Sequence, residues 1–299
     1  MAGSYEYLPK DTQGIVIRKF AFDFPDDPDP VWIPDEPVRS HLFNGLSLTM
    51  PYLEPYLIKS SQAAMASIEH EEILEDMRGF NGQEARHYQC HRRLNELLKT
   101  NGYPELARVE QGLAKSFARL SRRSMRTQLA YNAGFECMTN GFTHWLITCR
   151  SRLFGNAQAH VTSFWLMHMV EETEHKTVAF DAYMACSGKY LPRALGVFHG
   201  TLHLWGWGVV GMFTALKKDK LLRRPSTFVS IFRELCAVVY NVGPFALRAL
   251  SPAYNPRQER DPEWYESWVS GHARLGADDA LPLVDTTNPD MPVPFDNAA

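Results

Sequence analysis

The residues best suited to chemistry are two pairs in which a glutamate precedes a histidine by three positions. They are Glu84 with His87 and Glu172 with His175, and both pairs lie in stretches with a helical pattern. Side chains three residues apart share one face of a helix, so each pair can present a carboxylate and an imidazole to one metal ion. The spacing therefore predicts two metal-binding helices.

Two single glutamates complete the pattern. Glu54 and Glu136 lie 30 and 36 residues before the glutamates of the two pairs. Helical bundles that hold two iron or two manganese ions combine one glutamate from each of two helices with a Glu-x-x-His pair from each of two others. Because Pro51 and Pro55 flank Glu54, we expect that glutamate in the first turn of its helix.

The helix of the second pair carries further candidate ligands. At about 100° per residue, His168 falls on the same arc as Glu172 and His175. Glu171 borders this arc and is an alternative ligand if the register differs by one residue. Glu174 points away, which indicates a side chain that faces solvent or hydrogen-bonds to a ligand.

Two more residues are candidates for hydrogen bonds to the ligands. His91 lies one turn after His87, and Asp181 lies six residues after His175. Groups that fix the orientation of a ligating histidine are a normal part of metal sites. No catalytic residue is predicted beyond the metal ligands themselves, which are Glu54, Glu84, His87, Glu136, His168, Glu172 and His175.

The elements that must position these residues are helices. Helical patterns run from Leu46 to about Cys186, and no run of alternating β-branched residues interrupts them. The predicted class is all-α, a ferritin-like four-helix bundle with additional C-terminal helices, and Gly79 to Gly82 is interpreted as a break between helices. The predicted helices are 52–77, 81–99, 105–120, 123–151, 157–187, 191–217 and 226–249.

Four segments are predicted along the chain. Asp and Pro dominate residues 23 to 30, which favours an extended arm that Trp32, Ile33, Leu42 and Phe43 pin to the domain. The last thirty residues, which include Asp278 and Asp279, are acidic and proline-rich. The predicted segments are an N-terminal arm (1–45), the di-metal bundle core (46–190), additional hydrophobic helices (191–250) and a C-terminal arm with an acidic tail (251–299).

The stretch 194–216 has no formal charge and has the length of a membrane span. It also contains His199, His203 and five glycines, which lower its hydrophobicity. Two interpretations stay open: a helix packed on the bundle, or membrane insertion or surface association. The runs 194–216 and 226–249 are equally suited to homodimer contacts.

Composition excludes several classes of protein. The 299 residues are 45% hydrophobic, which is ample for a sizeable core. A formal net charge of −3 argues against a nucleic-acid partner. Five scattered cysteines without a CxxC motif, and no apolar signal region in the first thirty residues, predict a cytoplasmic protein with reduced thiols. Membrane association would depend on 194–216.

Several motifs together resemble the family of predicted metal-dependent hydrolases, over about residues 15 to 260. The segments that carry the resemblance are Phe22-Asp23, Pro51 to Glu54, Gln83-Glu84 with His87 and His91, Glu136, and the block from His168 to Asp181. The ligand order is also similar to that of di-iron enzymes of the p-aminobenzoate N-oxygenase type. That similarity implies oxygen activation at a site of three histidines and four carboxylates, with the ligands given above.

The leading hypothesis is a non-haem di-iron oxygenase or oxidase that uses O₂ to oxidise a small organic substrate. It implies two iron ions, Fe/Fe rather than Mn/Fe, and an electron-donor protein or reductant. A second hypothesis is a metal-dependent hydrolase with a metal-activated water, although hydrolases favour more open sites. A third is a non-catalytic ferritin-like iron-binding protein, and a fourth is a membrane-associated oxidase of a lipid-like substrate.

Overall fold

The computed structural model describes residues 5, 7–8, 14–18, 22, 24–276 and 280–295. All the regular elements in these residues are helical, which confirms the all-α prediction. The α-helices are α1 (Pro37–Ser47), α2 (Met50–Met65), α3 (Glu71–Thr100), α4 (Leu106–Leu120), α5 (Met125–Thr148), α6 (Arg150–Phe154), α7 (Ala159–Glu174), α8 (Val178–Cys186), α9 (Tyr190–Lys218), α10 (Pro225–Ala249) and α11 (Glu263–His272).

The helix α5 lies at the centre of the fold. Every residue from Leu129 to Thr143 is buried, which explains why this stretch has no polar face. Ser124 caps the start of the helix, and its side-chain oxygen accepts a hydrogen bond from the backbone N–H of Thr127. Helices α7, α8, α9 and α10 all pack against α5, and α2 packs against α3. The predicted ligands lie on α2, α3, α5 and α7, with His175 in the turn after α7.

The predicted break at Gly79 to Gly82 is wrong, because α3 continues through it. A Cβ atom at Gly82 would lie 2.3 Å from Cδ1 of Ile17, and one at Gly79 would lie 2.7 Å from Cβ of Ile15. The two glycines therefore let the N-terminal segment 14–18 pack directly on the helix. The true boundary between α2 and α3 comes earlier, between Met65 and Glu71.

The N-terminal segment is not extended throughout, since α1 forms within the predicted arm. Pro37 stands at the start of α1, a position where its missing N–H is not needed. The four predicted anchors, Trp32, Ile33, Leu42 and Phe43, are all buried. Of the motif Phe22-Asp23, Phe22 is buried and Asp23 lies outside the described residues.

The predicted single helix 157–187 is divided by a short 3-10 turn, His175–Thr177, between α7 and α8. Near the C terminus, Val284, Met291 and Phe295 are buried, so residues 280–295 pack on the domain without regular structure. The acidic residues Asp278 and Asp279 lie outside the described residues.

Helix α9 contains the uncharged stretch 194–216 and packs against α5 and α1. Within the described residues, the one helix with the length and composition of a membrane span is α10, and 22% of its apolar window is buried. The stretch 194–216 is therefore not the most span-like part of the chain.

Candidate metal centre

Four helices and the 3-10 turn after α7 bring the seven predicted ligands into one cluster, which we call the metal cluster. Their donor atoms form overlapping groups in which all atoms lie within 4.8 Å of one another. Each side chain is at most 5% exposed. Glu54 is the fifth residue of α2, just past its first turn, and Pro55 follows inside the helix. The structure thus brings the whole predicted set together, while metal binding itself stays a prediction.

Three imidazoles each direct one nitrogen toward the carboxylates. His175 Nδ1 lies 3.4 Å from Glu172 Oε2 and 3.5 Å from Glu84 Oε1, and His87 Nδ1 lies 3.7 Å from Glu84 Oε2. These separations are at or beyond the limit of a hydrogen bond. They match two ligand atoms that each lie about 2.1 Å from one ion, because such atoms are roughly 3 to 4 Å apart.

The other nitrogen of two imidazoles is held by a neighbouring side chain. His87 Nε2 lies 2.8 Å from Glu171 Oε2, and His175 Nε2 lies 2.7 Å from Gln83 Oε1. Because both oxygens accept, each Nε2 donates its hydrogen, and in the neutral ring, the form that binds a metal, each Nδ1 carries the lone pair. This is the protonation state that a ligating histidine needs.

A longer chain of hydrogen bonds sets the tautomer of the third imidazole, that of His168. Ser47 Oγ donates to Asn95 Oδ1 at 2.7 Å, so it accepts from His91 Nδ1 at 2.8 Å. His91 Nε2 then accepts from His168 Nδ1 at 2.9 Å. His168 Nε2 is left to face the cluster, 3.0 Å from Glu172 Oε1 and 3.8 Å from Glu54 Oε1. The structure therefore places His91 as the hydrogen-bond partner of His168.

Sequence reasoning missed two residues of the outer ring of hydrogen bonds. Gln83 donates to Glu174 Oε2 at 2.7 Å, and Arg18 pairs with Glu171 at 3.3 Å and closely with Glu174. Glu174 is buried and bonds to these groups, so the solvent-facing interpretation is wrong. Glu171, Glu172 and Glu174 place three carboxylates in an apolar helix, which requires positive charge nearby. This pattern was the sequence signal for a buried cation.

The structure does not bring Asp181 into the metal cluster. Its carboxylate accepts hydrogen bonds from Tyr5 at 2.5 Å and from Arg257 at 2.9 and 2.7 Å. Glu171 is turned toward His87 and Arg18. Its alternative role as a ligand in place of Glu172 stays a prediction.

The pKa values and hydrogen bonds of the buried carboxyl groups show which charges the metal cluster lacks. Burial, reinforced by neighbouring carboxylates, raises the pKa of Glu54 and of Glu136 well above the usual value. Burial also opposes ionisation of Glu172, but His175 and His168 outweigh it and hold the pKa of that carboxyl well below its usual range. No described residue donates an ordinary hydrogen bond to the carboxylate oxygens of Glu54, Glu84 or Glu136.

The donor set therefore fits metal ions. Four buried carboxylates carry four negative charges when ionised, which two divalent cations would neutralise. The imidazole lone pairs deduced above point to the same place. Two ions bound by these groups would satisfy the carboxylate oxygens that lack hydrogen bonds.

The helical fold and the buried glutamate and histidine cluster define the class, a helical protein with a candidate metal centre. The chain belongs to the family described as predicted metal-dependent hydrolase, whose sequence profile matches residues 16–260. The family resemblance inferred from the motifs is thereby confirmed. Searches of the curated proteins and of the solved structures each returned no match.

Proposed function

We propose that the metal cluster binds two iron ions and that the protein is an oxidoreductase that uses O₂ to oxidise a small organic substrate. The observation that carries this proposal is the ligand pattern. A glutamate from each of two helices, joined with a Glu-x-x-His pair from each of two others, is the pattern of di-iron and di-manganese carboxylate proteins.

The groups of donor atoms indicate two sub-sites. Glu84 and Glu172 each belong to the group that contains His175 and to a group that contains His87. These two carboxylates would therefore be within reach of both ions. Glu136 and His175 would complete one sub-site.

The second sub-site would be richer in nitrogen. Glu54 and His87 would complete it, and His168 adds a second imidazole. Softer nitrogen ligands and harder oxygen ligands stabilise different metal charges, so this asymmetry would make the two ions chemically distinct. Bound iron would supply the redox chemistry toward O₂, and an external reductant would return the electrons.

The surroundings of the metal cluster favour a small oxidant. A cavity of about 10 Å³, room for about one water molecule, is lined by residues that include Phe80 and Asn132. The Phe80 ring lies 4.6 Å from the ring of His175. A small, mostly apolar cavity of this kind excludes bulky groups, which suits O₂ better than a large hydrolysable substrate.

Metal content of the purified protein, followed by the absorbance change when the reduced iron form meets O₂, tests the proposal. We expect about two irons per chain and an oxygen-dependent absorbance change. His168→Ala should lose iron and the absorbance change. His160→Ala, an exposed histidine on the same helix, is the control. An iron-loaded protein that shows no response to O₂ would contradict the proposal.

The family description supports a second candidate, a hydrolase in which the metal ions activate a bound water. Ester, amide and phosphoester substrates, offered to the zinc- and manganese-loaded protein, test it. Turnover with zinc that is lost in Glu136→Gln would favour hydrolysis over oxidation. An iron-loaded protein without turnover in either assay would favour a non-catalytic iron-binding protein.

A further inference from the structure

The outer surface of helices α9 and α10 is far more apolar than the surface of a soluble protein usually is. On α9, five of the large apolar side chains that are 36–70% exposed lie on one side of the helix: Leu191, Leu195, Phe198, Leu202 and Phe213. At about 100° per residue they fall within roughly 60° of one another, so they form one stripe along the helix.

Helix α10 carries a second stripe. Its exposed apolar residues are 54–80% exposed: Phe228, Val229, Phe232, Val239, Tyr240 and Leu247. They lie within about 120° of one another around the helix. Monomeric soluble proteins rarely leave contiguous apolar area of this extent in water, so a surface of this size marks an interaction site.

The two stripes face the same side of the molecule because both helices cover one face of α5. Gly134 and Gly141 are seven residues apart on α5 and thus share a face. A Cβ atom at Gly134 would lie 2.1 Å from the carbonyl carbon of Gly196 in α9, and one at Gly141 would lie 2.9 Å from Phe245 in α10. The helices form an outer layer, and their free sides point away from α5.

Charge accompanies the apolar stripes. Between Lys189 and Leu250 there are nine Lys and Arg but two Asp and Glu, a net charge of +7 in a chain whose net charge is −3. Five of the basic residues cluster at the turn between the helices, and all five are exposed: Lys217, Lys218, Lys220, Arg223 and Arg224. Within the described part of the chain, Lys218 is the one that forms an ion pair, with Glu105 at 3.8 Å.

Both acidic residues of this segment are used inside the fold. Asp219 accepts hydrogen bonds from His41 and Tyr103, each at 2.7 Å, and Glu234 accepts two from Arg39, at 3.2 and 3.0 Å. A second copy of the same surface would therefore bring further positive charge without acidic partners. An anionic lipid surface complements both the charge and the apolar stripes.

We propose that the outer face of α9 and α10 docks the protein on an anionic phospholipid membrane, with the apolar stripes in the interface and the basic turn against the headgroups. The helices lie on the membrane and do not cross it. Every turn of α9 from Ala194 to Leu216 contains buried residues, so crossing would require α9 to leave α5.

Sedimentation of the full chain with lipid vesicles tests this proposal. The protein is mixed with vesicles of phosphatidylcholine alone, or of phosphatidylcholine with phosphatidylglycerol. We expect binding to the mixed vesicles about tenfold or more above that to the neutral ones, and a decrease with added salt. Lys217→Glu with Arg223→Glu should remove the preference for anionic lipid.

An apolar variant separates insertion from simple charge attraction. Leu195→Ser with Phe232→Ser should lower vesicle binding about tenfold, because both side chains are exposed and would enter the interface. Leu283→Ser, which removes an exposed leucine from the C-terminal segment, is the matched control and should bind as the parent does. Far-UV circular dichroism checks that each variant is folded.

Three results would overturn the proposal. The first is a folded parent chain that binds neither kind of vesicle. The second is binding that the Leu195→Ser/Phe232→Ser variant leaves unchanged, since charge alone would then suffice. The third is a stable dimer in light scattering that this variant dissociates, because the face would then be the interface between two copies of this chain.

Discussion

Each imidazole of the metal cluster contacts two different groups, and the outer contact decides which nitrogen carries the hydrogen. Glu171 and Gln83 do this directly for His87 and His175. For His168 the tautomer is set three hydrogen bonds away, at Asn95. The amide nitrogen of Asn95 donates to the backbone carbonyl of Ser47, which fixes the orientation of the Asn95 amide.

At the residue scale, we expect Ser47→Ala to weaken metal binding. The change removes the acceptor for His91 Nδ1, so His91 no longer has a fixed tautomer with which to accept from His168. Loss of such an outer partner lowers metal affinity by about 10 to 100-fold. Competition with a chelator measures the change.

Ser60→Ala is the matched control for that variant, because its buried hydroxyl bonds to Asn132 and to helix backbone. It should retain the parent affinity. Equal losses in the two variants would mean that any buried serine near the cluster has this effect, and the role assigned to Ser47 would be wrong.

At the scale of the helices, close packing between α5 and α9 holds Glu136 in place. A Cβ atom at Gly196 would lie 1.8 Å from the carbonyl oxygen of Ala130, which the backbones cannot relieve without separating. We expect Gly196→Ala to lower the free energy of unfolding by about 1 to 3 kcal/mol or more. Urea unfolding measures this.

At Gly206, on the same helix, we expect substitution by alanine to have the opposite effect on the free energy of unfolding. A Cβ atom there would meet nothing within 4 Å. Gly206→Ala should therefore stabilise the protein by about 0.5 to 1 kcal/mol, since alanine is the better helix former. If both substitutions stabilised the protein, the close approach of α5 and α9 would be wrong.

The packing of α9 also predicts a pH effect through His203, which lies against Ser116 and Tyr131. Burial, with a smaller contribution from His199, lowers the pKa of His203 to about 4. In the unfolded chain a histidine titrates near 6.5. The unfolded chain therefore binds more protons between these values, and stability falls as the pH falls from about 6.5 to 4.

His203→Gln should make the free energy of unfolding less dependent on pH within that window. After allowance for partial solvent exposure, we expect the difference between pH 7 and pH 5 to shrink by about 1 kcal/mol. Urea unfolding at the two pH values measures it, with His160→Gln as an exposed control. An unchanged difference would show that His203 does not titrate in this way.

The sequence predicted the helices and the cluster for a physical reason. Glu136 and His168 are polar residues in otherwise apolar helices. Because the candidate ligands recur with the helical period, one sequence shows both the helix face that they share and their ability to bind a metal. Partners such as Arg18 are not visible, because the bond to Glu174 joins residues 156 positions apart. Gly82 was wrongly interpreted as part of a helix break. The sequence alone does not distinguish a glycine that makes room for Ile17 from one that ends a helix.

For the whole molecule, metal binding would be linked to folding, because the metal cluster joins α2, α3, α5 and α7. A ligand that binds the folded chain alone at 100 times its Kd adds about 2.7 kcal/mol to stability. We expect iron or manganese to raise Tm by several degrees, and a chelator to reverse this. His168→Ala should show a smaller rise than His160→Ala, and an equal rise would place the metal elsewhere.

Arg18 has a consequence for how the protein matures. Its guanidinium pairs with Glu171 and Glu174 of α7 on one side and lies 5.5 Å from the ring of Trp268 in α11 on the other. During synthesis, residue 18 leaves the ribosome early and residue 268 leaves late. The enclosure of the outer carboxylates is therefore complete only after α11 has emerged, so we expect metal loading to follow the synthesis of that helix.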